Sequence, residues 1–379
     1  MAESKRRIGL LGFILRLINI LLIIALLISY LAQWISPKHF WPIAFFGMAY
    51  PVLVILNFVF IIHWIFRRRR FVIYPTIALL IGIGMLSRFI GFGSNVEMVN
   101  ADSKLKVLSY NVHVFGRYIK GHKGNQNFER DQIIEFIKQQ QPDILCMQEF
   151  RSLDKSKTEN NFKIFMKQCG FKNYYAQKYT SRNKSFYQVI FSKYPIKYSG
   201  FVPSAGADTE LTGIFADIEF KSQLIRIYSV HLQSFQISSD TYLIRNNLNN
   251  LDVTKTENQK RIEETSKHFA RKFKIAFEKR SHQIEALKDH IKQSSYPIIL
   301  AGDFNDTPSS YAYGQLSRNL DDAFVETGSG FGQTYIGPYP SFRIDFILHS
   351  PELNNFKFDT WPVQFSDHYP VSAVFTLVE

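Results

Sequence analysis

Three long apolar runs crowd into the first ninety residues, and they constrain what this chain can fold into more than any other feature. Residues 8–31 are apolar apart from Arg16, Asn19 and a few small polar side chains. Residues 40–66 are aromatic-rich and contain no acid, Lys or Arg. Residues 71–90 are apolar as far as Arg88. About 20 apolar residues span a hydrocarbon core. The expectation is therefore a membrane module over 1–95 with three transmembrane helices, at about 8–32, 40–66 and 71–90. A cleaved leader fits the first run poorly: the run is long, no small-residue cleavage site follows, and two more runs come after it. Arg16 and Arg88 lie near run ends, where long cationic side chains reach the headgroups. Pro42, Pro51 and Pro75 are tolerable in spans.

Charge gives the orientation. Ten of the 45 Lys/Arg residues but only two of the 32 acids fall in residues 1–100, so that segment carries +8 of the net +13. Lys5-Arg6-Arg7 precedes the first run, and Arg67 to Arg70 separates the second from the third. Basic residues in short loops stay cytoplasmic. The chain is expected to be an integral protein of a bacterial cytoplasmic membrane, with its N-terminus inside and everything after residue 90 on the periplasmic or extracellular side. The basic balance is then weak ground for a nucleic-acid partner, although phosphate-rich surfaces stay open. Cys146 and Cys169 do not make a disulfide framework.

Residues 96–104 read as a linker and 105–379 as one soluble domain. Strand-like runs fall at 105–110, 144–148, 186–192, 213–220, 223–231, 297–301, 342–348 and 370–377, with helical periodicity at 129–140, about 258–292 and 309–317. That mixture predicts layered sheets with helices outside. Residues 234–257 are polar and irregular and read as an inserted loop. The basic stretch from Lys260-Arg261 to Lys279-Arg280 reads first as a solvated helix face.

Chemistry-bearing residues gather where these strands hand over to loops. The phrases are Ser109-Tyr110-Asn111, Met147-Gln148-Glu149, Val230-His231-Leu232, Gly302-Asp303-Phe304-Asn305, Arg343-Ile344-Asp345 and Phe365-Ser366-Asp367-His368. The amide oxygen of Asn111 and the carboxylate of Glu149 are hard donors suited to Mg²⁺ or Mn²⁺. Asp303 and Asn305, two apart at a strand end, can face one side and hold a water and a phosphate oxygen. A protonated His368 can neutralise charge on phosphate oxygens. Asp345 would orient that imidazole and raise its pKa. Asp367 points away from its neighbour and fits a metal contact. Asp306 reads as the cap of the helix after Pro308, and His113 as a loop residue.

In this order the phrases resemble the endonuclease/exonuclease/phosphatase superfamily, which includes pancreatic-type deoxyribonucleases, abasic-site endonucleases, bacterial neutral sphingomyelinases and inositol-polyphosphate phosphatases. The resemblance covers residues 105–378. It implies an α/β fold, a four-layer α/β/β/α sandwich, and hydrolysis of a phosphate ester with one or two Mg²⁺ or Mn²⁺ ions. It makes Glu149 the principal metal ligand, assisted by Asn111. Asp303 would align or deprotonate the attacking water, Asn305 would contact the phosphate, and His231 would contact phosphate or donate a proton. Two departures leave the substrate surface open: Phe186 to Ser192 replaces a Gly-rich phrase, and Ser229 stands where Thr is common. The expected partners are a nucleic acid or a lipid head group, and the bilayer; no protein partner is evident. The rival is a catalytically silent membrane scaffold of the same fold, which the intact acids and histidines disfavour.

Overall fold

The computed structural model describes residues 9–67, 70–93, 104–116, 126–152, 160–181, 184–204, 207–235, 256–337 and 343–378. The expected linker and the 234–257 insertion lie almost wholly outside them.

Two helices, Leu10–Leu31 and Ile43–Phe66, are long and apolar enough to cross a membrane. Only 11% and 22% of their apolar windows are buried within the protein, so most of that surface faces outward. The buried polar side chains of this pair find partners in each other or in a helix backbone. Trp64 Nε1 donates to Asn19 Oδ1 at 2.9 Å, and Asn57 Nδ2 donates to the Leu53 carbonyl at 2.9 Å. An apolar surrounding demands such pairing.

The third expected helix, over 71–90, is not one helix. A 3₁₀ turn at Arg70–Val72 leads into Ile73–Ile81, the helix breaks at Gly82, and a short turn Ile83–Leu86 follows. Tyr30 explains the break. Its hydroxyl donates to the Ala78 carbonyl at 2.8 Å, while the Gly82 N–H bonds back to Leu79. A Cβ at Gly82 would lie 2.2 Å from the Tyr30 ring. The segment still runs the length of the helix pair. Phe71 lies beside Trp64 and under Arg16 at one end, with ring distances of 5.1 and 5.4 Å. Arg88 donates to Gln33 Oε1 at 3.0 Å at the other. Arg88 is thus not free to reach outward as expected; its guanidinium also lies over the Tyr313 ring at 5.2 Å.

The strands among the described residues are β1 Ile90–Phe92, β2 Leu105–Asn111, β3 Ile144–Phe150, β4 Asn173–Ser181, β5 Lys184–Ser192, β6 Ile196–Ser204, β7 Ala207–Phe220, β8 Gln223–His231, β9 Ile298–Asp303, β10 Asp321–Asp322, β11 Ser329–Phe331, β12 Asp345–His349, β13 Leu353–Thr360 and β14 Val371–Leu377. They form two six-stranded sheets, ordered β13-β14-β2-β3-β5-β4 and β10-β12-β9-β8-β7-β6, plus a β1–β11 ribbon. Each large sheet is antiparallel except for one central parallel pair, β2–β3 or β8–β9. A parallel pair needs a crossover. The helices Gln126–Gln140 and Thr256–Lys292 lie in those two crossovers.

Apolar side chains of both sheets, such as Val107, Cys146 and Ile190 with Ile227, Ala301 and Ile347, share one core. The other face of the first sheet packs on Ile133, Ile137 and Phe165, and that of the second on Ile284, Leu287 and Leu316. The result is an α/β sandwich. The helical module docks on its second side. Ser36 Oγ meets Ser281 Oγ at 2.9 Å, Phe45 packs edge-on against Phe277 at 5.4 Å, and β1 pairs with β11.

Candidate active site

One rung of the second sheet places three ionisable side chains together. Asp303, the last residue of β9, pairs in register with His231 of β8 and Asp345 of β12. Strand alternation then puts their side chains on one side. The first sheet contributes Asn111 at the end of β2 and Glu149 near the end of β3. Glu149 has φ 52° at a point where the β3–β5 register slips. A bulge of this kind re-aims a side chain out of the sheet.

The contacts converge on Asp303. Asn111 Nδ2 donates to its Oδ2 at 3.0 Å, and the Asn305 backbone N–H donates to its Oδ1 at 2.7 Å. His231 Nε2 and His368 Nε2 each lie 3.7 Å from that Oδ2. His231 Nε2 is also 3.7 Å from Glu149 Oε1. His368 Nδ1 is 2.9 Å from Asp345 Oδ2. Ser366 fastens the His368 loop to the first sheet by donating to the Asn111 carbonyl at 2.7 Å.

Charge follows from this packing. Burial pushes the Asp303 carboxyl up to about 6; His368 and His231 pull against it and Asp345 adds to it. Burial opposes a positive His368, but Asp345, Asp303 and Asp367 outweigh it and hold the imidazole well above its ordinary range. Asp367 is brought down to about 2, because His113 and His368 overcome the effect of its burial.

Each expected residue sits in this cluster, though not always in the expected posture. Asn111 directs its amide nitrogen at Asp303, and its oxygen accepts from the His113 N–H at 3.1 Å. Asn305, at φ 51°, spends its amide on the Leu232 carbonyl and Asp303, at 3.0 and 3.2 Å. Asp306 does not cap a helix. It pairs with Arg280 at 3.0 Å, and Ser310 is the N-cap of Tyr311–Leu316. Asp303, Asp345 and His368 offer ligand atoms all within 4.8 Å of one another, a buried group able to hold a metal ion. Glu149 and Asp367 are more open, with side chains about a quarter exposed. Four carboxylates against three imidazoles suit a divalent cation.

Two members were not anticipated. His113 Nδ1 reaches Asp367 Oδ1 at 2.9 Å because His113, Val114 and Phe115 all take positive φ and fold back over the site. Tyr179 Oη meets His231 Nδ1 at 3.2 Å. The spacing of two from Asn111 was the only available signal for His113.

Residues 12–89 match the model of a domain of unknown function. No curated protein matches the chain. Among solved structures, an endonuclease/exonuclease/phosphatase family protein from Leptotrichia buccalis is 18% identical, with a TM-score of 0.50, over 73% of this chain and 100% of that one. The endonuclease/exonuclease/phosphatase from Bacteroides vulgatus is 16% identical, with a TM-score of 0.50, over 73% and 100%. D. rerio TDP2 complexed with single strand DNA product gives 16%, 0.50, 73% and 100%. These likenesses show the fold. The model of the endonuclease/exonuclease/phosphatase family matches residues 108–368, most of the length, and the chain belongs to that family.

Proposed function

We propose that this protein is a membrane-anchored, divalent-metal-dependent phosphoesterase on a four-layer α/β/β/α sandwich, its catalytic domain spanning residues 105–379. The observation that carries the proposal is the convergence of strand ends from both sheets. It joins Asn111 and Glu149 to the His231–Asp303–Asp345 rung and to His368.

Glu149, Asn111 and Asp367 would hold Mg²⁺ or Mn²⁺, one ion or two, with the oxygen donors such ions prefer. The bound ion supplies Lewis-acid polarisation of the phosphoryl group. Asp303, whose raised pKa suits a base near neutral pH, takes the proton of a water attacking in line with the leaving oxygen. His368, positive and held by Asp345, faces the phosphate oxygens. His231 is a second phosphate contact or proton donor. Asn305 keeps Asp303 oriented.

The substrate is a nucleic acid or a phospholipid or phosphoinositide head group. A solved structure of similar fold holds single-stranded DNA product. The docking of the domain on one end of the apolar helices favours a substrate in the lipid surface. Full-length protein assayed with Mg²⁺ against DNA, RNA, sphingomyelin and phosphoinositides in parallel should cleave one class, and EDTA should abolish the cleavage. Binding without turnover of any of them would favour the silent scaffold.

A further inference from the structure

An α-helical carbonyl loses its donor when the residue four positions on is proline. Pro51 lies inside the helix Ile43–Phe66, so the Gly47 carbonyl has no N–H of its own helix to accept. A donor comes from the other part of the molecule: the Ser309 hydroxyl bonds to that carbonyl at 2.7 Å. Ser309 is fully buried there. Gly47 makes the approach possible, since a Cβ would stand 2.7 Å from Ala32 Cβ and 3.1 Å from the Ser309 carbonyl oxygen.

Ser309 lies four residues past Asn305, on the segment that leaves the end of β9. That segment is tied down at three places. Asn305 donates to the Leu232 carbonyl. Asp306 is gripped by Arg280, whose Nη1 donates to the Gln233 carbonyl at 2.7 Å. Ser309, also touching Thr307 Oγ1 at 3.1 Å, is held by Gly47. The first two ties belong to the catalytic domain. The third belongs to the apolar helix.

We propose that this helix is part of the foundation of the catalytic loop. The carbonyl freed by Pro51 anchors Ser309, which makes Ser309 a positioning residue for Asp303 and Asn305. The inference rests on the phosphoesterase reading of the site. A tether needs only a covalent link. An acceptor opened in the helix interior and filled from the catalytic loop makes helix and loop one mechanical unit.

The test uses full-length protein in lipid nanodiscs, as Ser309→Ala, Pro51→Ala and the double variant. Pro51→Ala returns an N–H that competes with Ser309 for the Gly47 carbonyl. Amide exchange over residues 303–310 should rise about tenfold in each single variant, with β2 and β3 unchanged. With Mn²⁺ and bis(p-nitrophenyl) phosphate, kcat should fall about tenfold while KM holds. Ser309→Ala should lower Tm, and adding Pro51→Ala should restore it, because the carbonyl is satisfied again. The lost kcat should not return. Unchanged loop exchange in either single variant, or recovery of kcat together with Tm in the double, would overturn the proposal. A wild type that hydrolyses no phosphate ester would sink the phosphoesterase reading instead, and loop exchange would then decide the anchor alone.

Discussion

In the proposed site the His368 imidazole and the Asp345 carboxylate form a buried pair, Nδ1 to Oδ2 at 2.9 Å. Nearby carboxylates outweigh burial and hold the imidazole's pKa well above its ordinary value, and Asp345 contributes most among them. Asp345→Asn removes that pull, so the pKa of His368 falls and the positive form is lost at lower pH. The high-pH limb of kcat/KM should therefore move to lower pH, with a loss of about tenfold at neutral pH. His368→Ala should cost about 10²- to 10⁴-fold. Adding Asp345→Asn to it should change little, because the group it serves is gone. Full additivity in this cycle, or an unmoved limb, would leave Asp345 as a strand-end acid without a catalytic partner. The phrases in the sequence locate the eight expected residues in one cluster: Asn111, Glu149, His231 and Asp303 fall at or near strand ends, Asp345 begins β12, and Asn305, Asp367 and His368 lie in loops. His113 and Tyr179 were not legible, since their roles come from a run of positive φ and from a strand crossing the site. Asp306 was misread because its partner, Arg280, lies 26 residues upstream in another element.

At the scale of elements, four of the six described strands missed in the sequence share a cause. β4, β6, β10 and β13 are the edges of the two sheets. An edge strand pairs on one side only and is less buried, so its sequence lacks a long apolar run. β6 shows this as Ile196-Lys197-Tyr198-Ser199-Gly200, mostly exposed. The central strands are buried and were plain. Pairing inside a sheet also depends on polar contacts that apolar patterning does not reveal. Asp217 of β7 and Arg226 of β8 are in register and bond twice, at 2.6 and 2.7 Å, with Asp217 buried. Removing one partner of a buried pair costs about 3 kcal/mol. Asp217→Ala should lower stability by that order in chemical unfolding and leave the kcat of the folded fraction unchanged. A change below about 0.5 kcal/mol would show the pair to be dispensable.

At the scale of the whole molecule, apolar length and basic clusters outlined the helical module but not the break at Gly82, which a ring from another helix imposes. The docking of the two parts was also invisible, because it joins residues far apart in the chain, such as Ser36 with Ser281 and β1 with β11. Gln33, Gly47 and Arg88 share the end that carries the catalytic domain, and Trp64 and Phe71 lie at the other, next to Arg67 and Arg70. Alkaline phosphatase fused after Glu379 should thus be active, and a reporter at Arg69 should behave as cytoplasmic; a cytoplasmic C-terminus would overturn this topology. The proposed seat of phosphate-ester hydrolysis is the cluster built around Asp303. Its most direct test is kcat/KM of full-length wild type and Asp303→Asn with saturating Mg²⁺ on whichever phosphate ester the wild type cleaves. The account predicts a loss of about a thousandfold or more with the fold intact; a variant within about threefold of wild type would contradict it.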